Sequence, residues 1–451
     1  MRHPDLISTL TMPKLYACGS NGSAQLSVHH REDVVILTPC SFHPSLEVQD
    51  SDEIIDLVSS STHSLLLLHS IAGHVLLGAG TNTLGQLGPK CALWDDVKAE
   101  DRYKPLDFLR SAGVQGDWEP VKIAATWTTS FVLYQNVERA GSNLTTPGGT
   151  GAGIRLEGEA GGSTSGSSSA APTSVIGGPG QILLACGSND FGELGKGGDR
   201  SKVAVTRPSD NPVQIDMGLK PGEYVEHLKA GQRHVIVVIN GPNGQRLVGW
   251  GASRKGELHP SSALQSAKAK GKSSFPAISP PMDIPLSLEE RVHIDNLALG
   301  ASHSLLSLSD GTVMAWGNDL KGQITDLNEL DEVTGVAATW GGSYILSAGE
   351  IWSQGSNTHS QLVRGTLADK ARSRVDVSGG KVKRIVAGSE HLLVVLNRVA
   401  GDELWVGGWN EHGNLGLGDQ VDRAGLVRLD VKGQIKGVWG GLAATWVWVN
   451  A

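Results

Sequence analysis

Four histidines recur in this chain within one local sequence pattern, and histidine is a common metal ligand and proton carrier near neutral pH. They are His63, His234, His303 and His391. A short turn precedes each of them and an apolar run follows. Equivalent positions of a repeat array lie apart in space, so these imidazoles are not expected to share one metal ion. We expect each imidazole to hydrogen-bond to backbone at a repeat junction.

Amide and carboxylate side chains recur in a second pattern. Carboxylates in such a set could serve as the acid and base of a catalytic site. They are Gln25, Gln86, Glu193, Glu257, Gln323 and Gln361. Their regular recurrence favours groups that pin a repeated loop over catalytic groups. The glycine-rich Gly149–Gly153 has no preceding strand, which a phosphate loop requires. HExxH, Walker A and GxSxG motifs are also absent. We therefore expect no catalytic residue, no metal site and no cofactor, and hence a protein that is not an enzyme.

The composition indicates many short strands joined by tight turns. Glycine accounts for 59 of 451 residues, about twice its ordinary share. The net charge of −8 argues against direct DNA binding. Four cysteines without CxxC spacing favour a reducing compartment. The N-terminal residues lack the continuous apolar run typical of a signal peptide, and no apolar run is long enough for a bilayer. We therefore expect a soluble intracellular protein without membrane contact.

The first repeat motif is a glycine followed six residues later by Gln, Glu or Asn and then by Leu or Ile. It begins at Gly19, Gly80, Gly187, Gly251, Gly317, Gly355 and Gly408. A second motif, an apolar run, a short turn and another apolar run, alternates with the first, again seven times. Seven alternating copies of both motifs indicate seven structural repeats.

Each repeat reads as a small antiparallel sheet. The segment 304–316 predicts a hairpin around Asp310-Gly311, and 344–353 predicts another around Ala348-Gly349. Radial stacking of such sheets predicts an all-β, seven-bladed β-propeller over residues 14–450. The first strand (14–18) and the last (443–449) each lack a partner. We therefore expect them to pair and close the ring.

Three segments fall outside the repeats. Residues 1–13 precede the first strand and are expected to be flexible. Residues 139–180, rich in glycine and serine, predict a disordered insert in a hairpin. Residues 261–282, rich in Ser, Lys and Pro, predict a flexible loop.

The repeats resemble those of the regulator of chromosome condensation superfamily, in segments such as CGSNDFGEL and AGSEHLLVVL. The ends are similar to the fungal alpha-tubulin suppressor, or killer-toxin-insensitivity, group. That similarity lies in LYACGSNGSAQL, HHREDV, THSQL, GGWNEHGNLG and GGLAATWVWV. The fourth copy, GASRKGEL, departs from the pattern.

The resemblance implies a non-enzymatic scaffold that binds a small CSL-zinc-finger metalloprotein as a heterodimer. It further implies a role in diphthamide synthesis on elongation factor 2 and in Elongator-dependent modification of tRNA wobble uridines, with indirect contact to Elongator. The expected location is the cytoplasm and the nucleus. The alternative is a guanine-nucleotide exchange factor for a small GTPase, which needs no catalytic acid or base. An enzyme acting in the central channel is a third class.

Tryptophans supply the candidate partner-binding residues, because Trp is enriched at interface hot spots. Trp127 and Trp340 occupy matching turns before a strand. Trp409, His412 and Trp439 are expected to form a second surface patch. The alternative for Trp127 and Trp340 is that each ring covers the neighbouring blade.

Overall fold

The computed structural model describes residues 14–44, 46, 48–49, 51–89, 99–137, 180–196, 211–258, 277–366, 371–377 and 379–450. In these ranges the strands form seven antiparallel sheets, six of four strands and one of three. Each innermost strand contacts the innermost strand of the next sheet, which arranges the sheets as seven blades around an axis. The predicted seven-bladed propeller is confirmed. No helix in these ranges is long and apolar enough to cross a bilayer.

The strands follow in chain order. Blade 1 begins with β1 (Lys14–Gly19) and β2 (Val34–Pro39). Blade 2 contains β3 (Glu53–Ser59), β4 (His63–Ser70), β5 (Gly73–Thr81) and β6 (Ala99–Pro105). Blade 3 contains β7 (Trp118–Ala125), β8 (Thr129–Asn136), β9 (Gln181–Gly187) and β10 (Val213–Ile215). Blade 4 contains β11 (Tyr224–Ala230), β12 (His234–Asn240), β13 (Arg246–Gly251) and β14 (Ile278–Ile284).

Blade 5 contains β15 (Ile294–Leu299), β16 (His303–Leu308) and β17 (Val313–Gly317). Blade 6 contains β18 (Val333–Ala338), β19 (Gly342–Ser347), β20 (Glu350–Gly355) and β21 (Ser373–Arg374). Blade 7 contains β22 (Lys381–Ala387), β23 (His391–Arg398), β24 (Gly401–Gly408) and β25 (Arg423–Leu429). The strands β26 (Gln434–Gly441) and β27 (Ala444–Asn450) complete blade 1. A short helix α1 (Phe108–Ser111) and a 3-10 helix (Leu327–Glu329) lie between strands.

The terminal strands close the ring as the sequence predicted. Strand β1 pairs antiparallel with β27, in register from Lys14 opposite Val449 to Gly19 opposite Ala444. Blade 1 therefore has the order β2-β1-β27-β26, with its two halves from opposite ends of the chain. Both predicted hairpins, β16–β17 and β19–β20, are also present.

The core is divided among the blade junctions. Seven clusters of buried apolar side chains each join two neighbouring blades. The second strand of each blade is covered on both faces, which explains continuous apolar runs such as β12. Folding therefore depends on stacking of the blades, since one sheet cannot bury both of its faces.

One of the predicted irregular segments is partly a strand. Residues 278–282 belong to β14, so the expectation of a flexible loop over 261–282 is wrong at its C-terminal end. The prolines of this stretch are tolerated because β14 is the outermost strand of blade 4 and needs donors on one side only. Residues 261–276 lie outside the described residues, as do 1–13 and all of 139–180 except Gly180.

We call the turn between the first and second strands of each blade the inner turn, and the loop that follows the third strand the glycine loop. The two are in contact in each blade. Each motif glycine has a positive φ, from +97° at Gly251 to +129° at Gly187. A Cβ at Gly187 would lie 2.2 Å from the Thr128 carbonyl oxygen of the inner turn. The next residue, Ser188, donates its N–H to that same carbonyl at 3.1 Å. Only glycine allows this approach, so the repeated glycine is a backbone requirement.

The remaining motif residues hold the glycine loop in shape. Asn189 Oδ1 accepts the Leu194 N–H at 2.8 Å, while Glu193 Oε2 accepts the Phe191 N–H at 2.7 Å. The same two bonds recur in most copies, which confirms the predicted loop-pinning role. Ser253 stands at the Asn position of the divergent fourth copy, and its hydroxyl has no hydrogen-bond partner among the described residues.

The four recurring histidines lie buried at blade junctions, and three of them bond to a hydroxyl of the next blade. The ring nitrogens of His63 lie 2.6 Å from Ser60 Oγ and 2.7 Å from Ser130 Oγ. His303 reaches Ser343 and His391 reaches Thr445, each at 3.1 Å. The expectation of backbone partners alone was therefore too narrow, because the next blade supplies hydroxyls.

Burial keeps these imidazoles uncharged. Loss of solvation lowers the pKa of His63 and His234 to about 3 and that of His303 and His391 to about 4. An imidazole in the unfolded chain binds a proton below about pH 6.5, whereas these imidazoles in the folded chain do not. Their contribution to folding stability is therefore lost as the pH falls below about 6.5.

The glycine requirement predicts unequal effects of two alanine substitutions within blade 6. Gly349→Ala, at φ +79° with open space around it, should lower the free energy of unfolding by about 1 kcal/mol. Gly355→Ala, whose Cβ would lie 2.3 Å from the Gly341 carbonyl oxygen, should lower it by at least ~2 kcal/mol more. Denaturant unfolding of both variants measures the difference, and equal losses would contradict the proposed crowding.

The buried imidazoles predict a pH effect at His63. As the pH falls from about 6.5 to about 4, protonation of His63 in the unfolded chain should lower the free energy of unfolding by up to about 1.4 kcal/mol per pH unit. The His63→Gln variant should lack this contribution. Comparison of the two chains cancels the opposite contribution of buried carboxyls such as Glu193, whose pKa is raised to about 7 by burial. Denaturant unfolding across this range gives both slopes, and identical slopes would show that His63 is not held neutral.

Candidate functional site

The loop face is the face of the propeller that carries the inner turns and the glycine loops. Seven inner turns surround the axis there and enclose a space of about 120 Å³. The central residue of each turn is, in blade order from 1 to 7, Leu442, Ser61, Trp127, Gln232, Ala301, Trp340 and Ser389. Large aromatic side chains therefore come from blades 3 and 6, on opposite sides of the ring.

Trp127 and Trp340 meet each other across the axis. Their ring centroids are 6.0 Å apart with an interplanar angle of 37°, and both side chains remain partly exposed. They lie at the axis instead of the outer rim, and together they cover the space between the inner turns. The sequence placed both residues in turns but gave no sign of this contact.

Backbone hydrogen bonds between blades hold the two tryptophans in place. The Trp127 N–H donates to the Gln232 carbonyl at 2.9 Å, and the Trp340 N–H donates to the Ser389 carbonyl at 2.8 Å. The Trp340 carbonyl in turn accepts the Ala301 N–H at 3.1 Å. These hydrogen bonds fix the conformation of both turns.

Arginines extend this aromatic surface outward over blades 3 and 4. The Arg233 guanidinium lies 5.1 Å from the Trp127 ring centroid and 4.2 Å from that of Phe191, while Arg254 lies 5.6 Å from Phe191. These distances suit cation–π attraction. We call Trp127, Trp340, Phe191, Arg233 and Arg254 the axial aromatic cluster. The sequence analysis did not identify Phe191, Arg233 or Arg254 as binding residues. Arg233 directly precedes the recurring His234, and the other two lie in the glycine loops of blades 3 and 4.

A buried carboxyl supports the cluster. Glu193 Oε1 lies 3.8 Å from the Arg233 guanidinium and has no hydrogen-bond partner among the described residues. Burial raises the pKa of Glu193 to about 7, against the lowering effects of backbone hydrogen bonds and of Arg233. The charge of Arg233 is therefore only partly neutralised near neutral pH, which leaves a cation at the surface.

A second patch forms where blades 6, 7 and 1 meet on the loop face. The Trp409 ring lies perpendicular to His412 at a centroid distance of 5.3 Å and tilted to His359 at 6.1 Å. His412 Nδ1 lies 2.6 Å from Asp33 Oδ2 in the glycine loop of blade 1. Two of the predicted residues, Trp409 and His412, therefore do lie together.

Trp439 lies elsewhere, so the expectation that it shares this patch is wrong. It belongs to the inner strand β26, is only 8% exposed and faces the central channel. Its ring lies over Gly437, where a Cβ would be 2.1 Å from the ring, and its indole lowers the pKa of the Asp56 carboxyl, against the larger raising effect of burial. Trp439 lies on an inner strand and faces the channel, whereas Trp409 follows the third strand of blade 7 and reaches the surface.

The described residues hold no group of three or more His, Cys, Asp and Glu side chains placed to bind a metal ion. Burial raises the pKa of Glu390 to about 7, but this carboxyl, like that of Glu193, lies under the loop face. What the loop face presents is aromatic rings with arginine, an arrangement suited to binding.

Comparison with known proteins agrees with this architecture. Residues 294–323, which span blade 5 and its glycine loop, match the family described as the regulator of chromosome condensation (RCC1) repeat. An RCC1 repeat-containing protein of Schizosaccharomyces pombe is 24% identical over 444 residues, covering 96% of this chain and 98% of that protein. The secretion-regulating guanine nucleotide exchange factor of Bos taurus is 27% identical, covering 91% of this chain and 77% of that protein.

Solved structures share the fold along the whole chain. Human WBSCR16 superposes with a TM-score of 0.68 at 16% identity, covering 97% of this chain and 99% of that structure. Prp20p from Saccharomyces cerevisiae gives 0.64 at 16% identity, covering 98% and 93%. The chain therefore has a seven-bladed propeller fold like that of these structures, and one of its repeats, within residues 294–323, matches the RCC1 repeat.

Proposed function

We propose that this propeller is a non-enzymatic binding scaffold whose loop face captures a small protein partner. The axial aromatic cluster is the observation that carries this proposal. It offers two tryptophans, one phenylalanine and two arginines, all at least partly exposed, in loops of blades 3, 4 and 6. Trp and Arg dominate binding hot spots because they bury large areas and make directional polar contacts.

The rigidity of the inner turns supports the same proposal. Trp127 and Trp340 sit in turns tied to neighbouring blades by backbone hydrogen bonds of 2.8 to 3.1 Å. Little conformational entropy is then lost when a partner covers these rings, which favours affinity. The guanidinium groups of Arg233 and Arg254 favour a partner surface with exposed carboxylates.

For the partner we propose a small CSL-zinc-finger metalloprotein, bound as a heterodimer. The proposal rests on the likeness of the terminal repeats to the fungal alpha-tubulin suppressor group. Through that partner the scaffold would serve diphthamide synthesis on elongation factor 2 and Elongator-dependent tRNA modification. It would act in the cytoplasm and the nucleus.

A second candidate function is guanine-nucleotide exchange on a small GTPase. The bovine relative is named as a secretion-regulating guanine nucleotide exchange factor, and Prp20p is described by its binding to Gsp1p and histones. Exchange requires only displacement of a bound nucleotide, so a surface without catalytic groups suffices. Nucleotide release from a Ran-like GTPase, with and without the propeller, tests this alternative directly.

The scaffold proposal predicts that binding and folding respond differently to loss of the axial rings. Trp127→Ala and Trp340→Ala should each weaken binding of the purified, zinc-loaded partner by at least ~2 kcal/mol, roughly 30-fold in Kd. The melting temperature should change by only a few degrees, since each ring packs in a turn above the core. Isothermal titration calorimetry and thermal unfolding measure the two effects.

Trp118→Ala is the matched control. Trp118 is partly exposed and lies at the other end of β7 from Trp127, away from the loop face. Its removal should leave the partner affinity unchanged. If the axial variants instead unfold readily while their folded fraction binds normally, the rings serve the fold alone. If the unchanged chain fails to bind the zinc-finger protein, that partner is wrong.

A further inference from the structure

The central channel contains a group of charged side chains that is separate from the axial aromatic cluster. Its seven inner strands enclose a cavity of about 480 Å³, within the range of small-molecule sites. On the loop-face side it narrows into the space beneath Trp127 and Trp340, and the two spaces share a ring of lining residues. The tryptophan pair therefore covers one end, and the opposite face offers the way in.

A repeated backbone irregularity lies beside this cavity, and two of the residues that follow it, Asp56 and Arg384, line the cavity. Every inner strand carries a β-bulge at the same place, such as between Ile54 and Asp56 in β3 and between Val382 and Arg384 in β22. Bulges re-aim the side chains that follow them. Asp56, Lys122 and Arg384 occupy this equivalent position in blades 2, 3 and 7.

The charge of the channel is opposite to that of the chain. The net charge of the whole chain is −8, yet the charged residues lining the cavity are Lys229, Lys383, Arg384 and the single carboxylate Asp56. Lys383 pairs with Asp402 at 2.5 Å. Lys229, Arg384 and the adjacent Lys122 form no ion pair with any carboxylate of the described residues.

The cations lie close enough to influence one another. The charge of Lys229 lowers the pKa of Lys122, in addition to the larger effect of burial, while Asp56 and Glu226 act in the opposite direction. Glu226 itself is engaged by the Asn240 and Gln245 amides at 3.1 and 2.6 Å. Asp56 also interacts electrostatically with Lys229 and Arg384, but the cations outnumber this carboxylate among the lining residues. A cleft lined mainly by one sign of charge concentrates ions of the opposite sign.

We propose that the central channel binds a small polyanion bearing phosphate or carboxylate groups, held by Lys122, Lys229 and Arg384. Arg384 supplies a planar fork that suits two oxygens of one anionic group. The two lysines, from blades 3 and 4, act as point charges toward a second group. This site is distinct from the axial aromatic cluster and does not require the partner proposed above.

Titration calorimetry of the full chain with tripolyphosphate and, separately, citrate tests the proposal and distinguishes the two anion types. Saturable one-to-one binding of at least one probe is expected. Lys229→Met and Arg384→Met should each weaken it roughly tenfold or more, as loss of a charge-assisted contact does. Lys383→Met is the matched control, since Lys383 lines the same cavity but is already paired with Asp402.

Two results would overturn the proposal. One is absence of binding of either probe at millimolar concentration. The other is an equal loss in Lys383→Met, which would indicate only nonspecific attraction by positive charge. Melting curves without probe confirm that each variant is folded. Trp127→Ala should retain the anion affinity, so failure of the scaffold proposal and failure of this one give different results.

Discussion

One backbone hydrogen bond, made once per blade, underlies the loop face. The residue after each motif glycine donates its N–H to a carbonyl of the inner turn, at 2.8 to 3.1 Å in all seven blades. The bond requires a glycine at positive φ pressed against the turn. It joins the third strand of a blade to the turn nearest the axis. The inner turns are thereby hydrogen-bonded to the sheets. Side chains that project from these turns to solvent therefore have a fixed backbone beneath them.

The residues proposed to bind a partner take part in this same contact. The Arg233 carbonyl accepts the Ala252 N–H at 2.8 Å, while the Arg233 side chain lies between Trp127 and Phe191. In blade 7 the donor is Trp409 itself, whose N–H bonds to the Glu390 carbonyl at 2.9 Å. The backbone groups of these residues make the hydrogen bonds that connect the loops, while their side chains remain free to contact a partner. The repeat can therefore vary its surface chemistry without disturbing its geometry.

Structural features that depend on the local spacing of residues could be predicted from the sequence. Contacts that form only when the blades curve around the axis could not. Seven blades, closure by the terminal strands and loop pinning by Gln25 all follow from short motifs read in order. The contact between Trp127 and Trp340 exists only because seven blades bring opposite turns together. Trp439 was predicted to share a surface patch with Trp409 and His412, whereas it lies on the inner strand β26. The bulges that precede Lys122 and Arg384 leave no distinctive residue pattern.

Blade 5 shows how the ring tolerates an incomplete sheet. Only 15 residues, 318–332, join β17 to β18, and no fourth strand forms there, although every residue of this connection is described. In its place the 3-10 helix brings Leu327 into the apolar cluster with Val313 of β17. A bare strand edge invites pairing with a second chain and hence aggregation. The helical turn packs beside β17, so in blade 5 it occupies part of the space that an outer strand takes in the other blades.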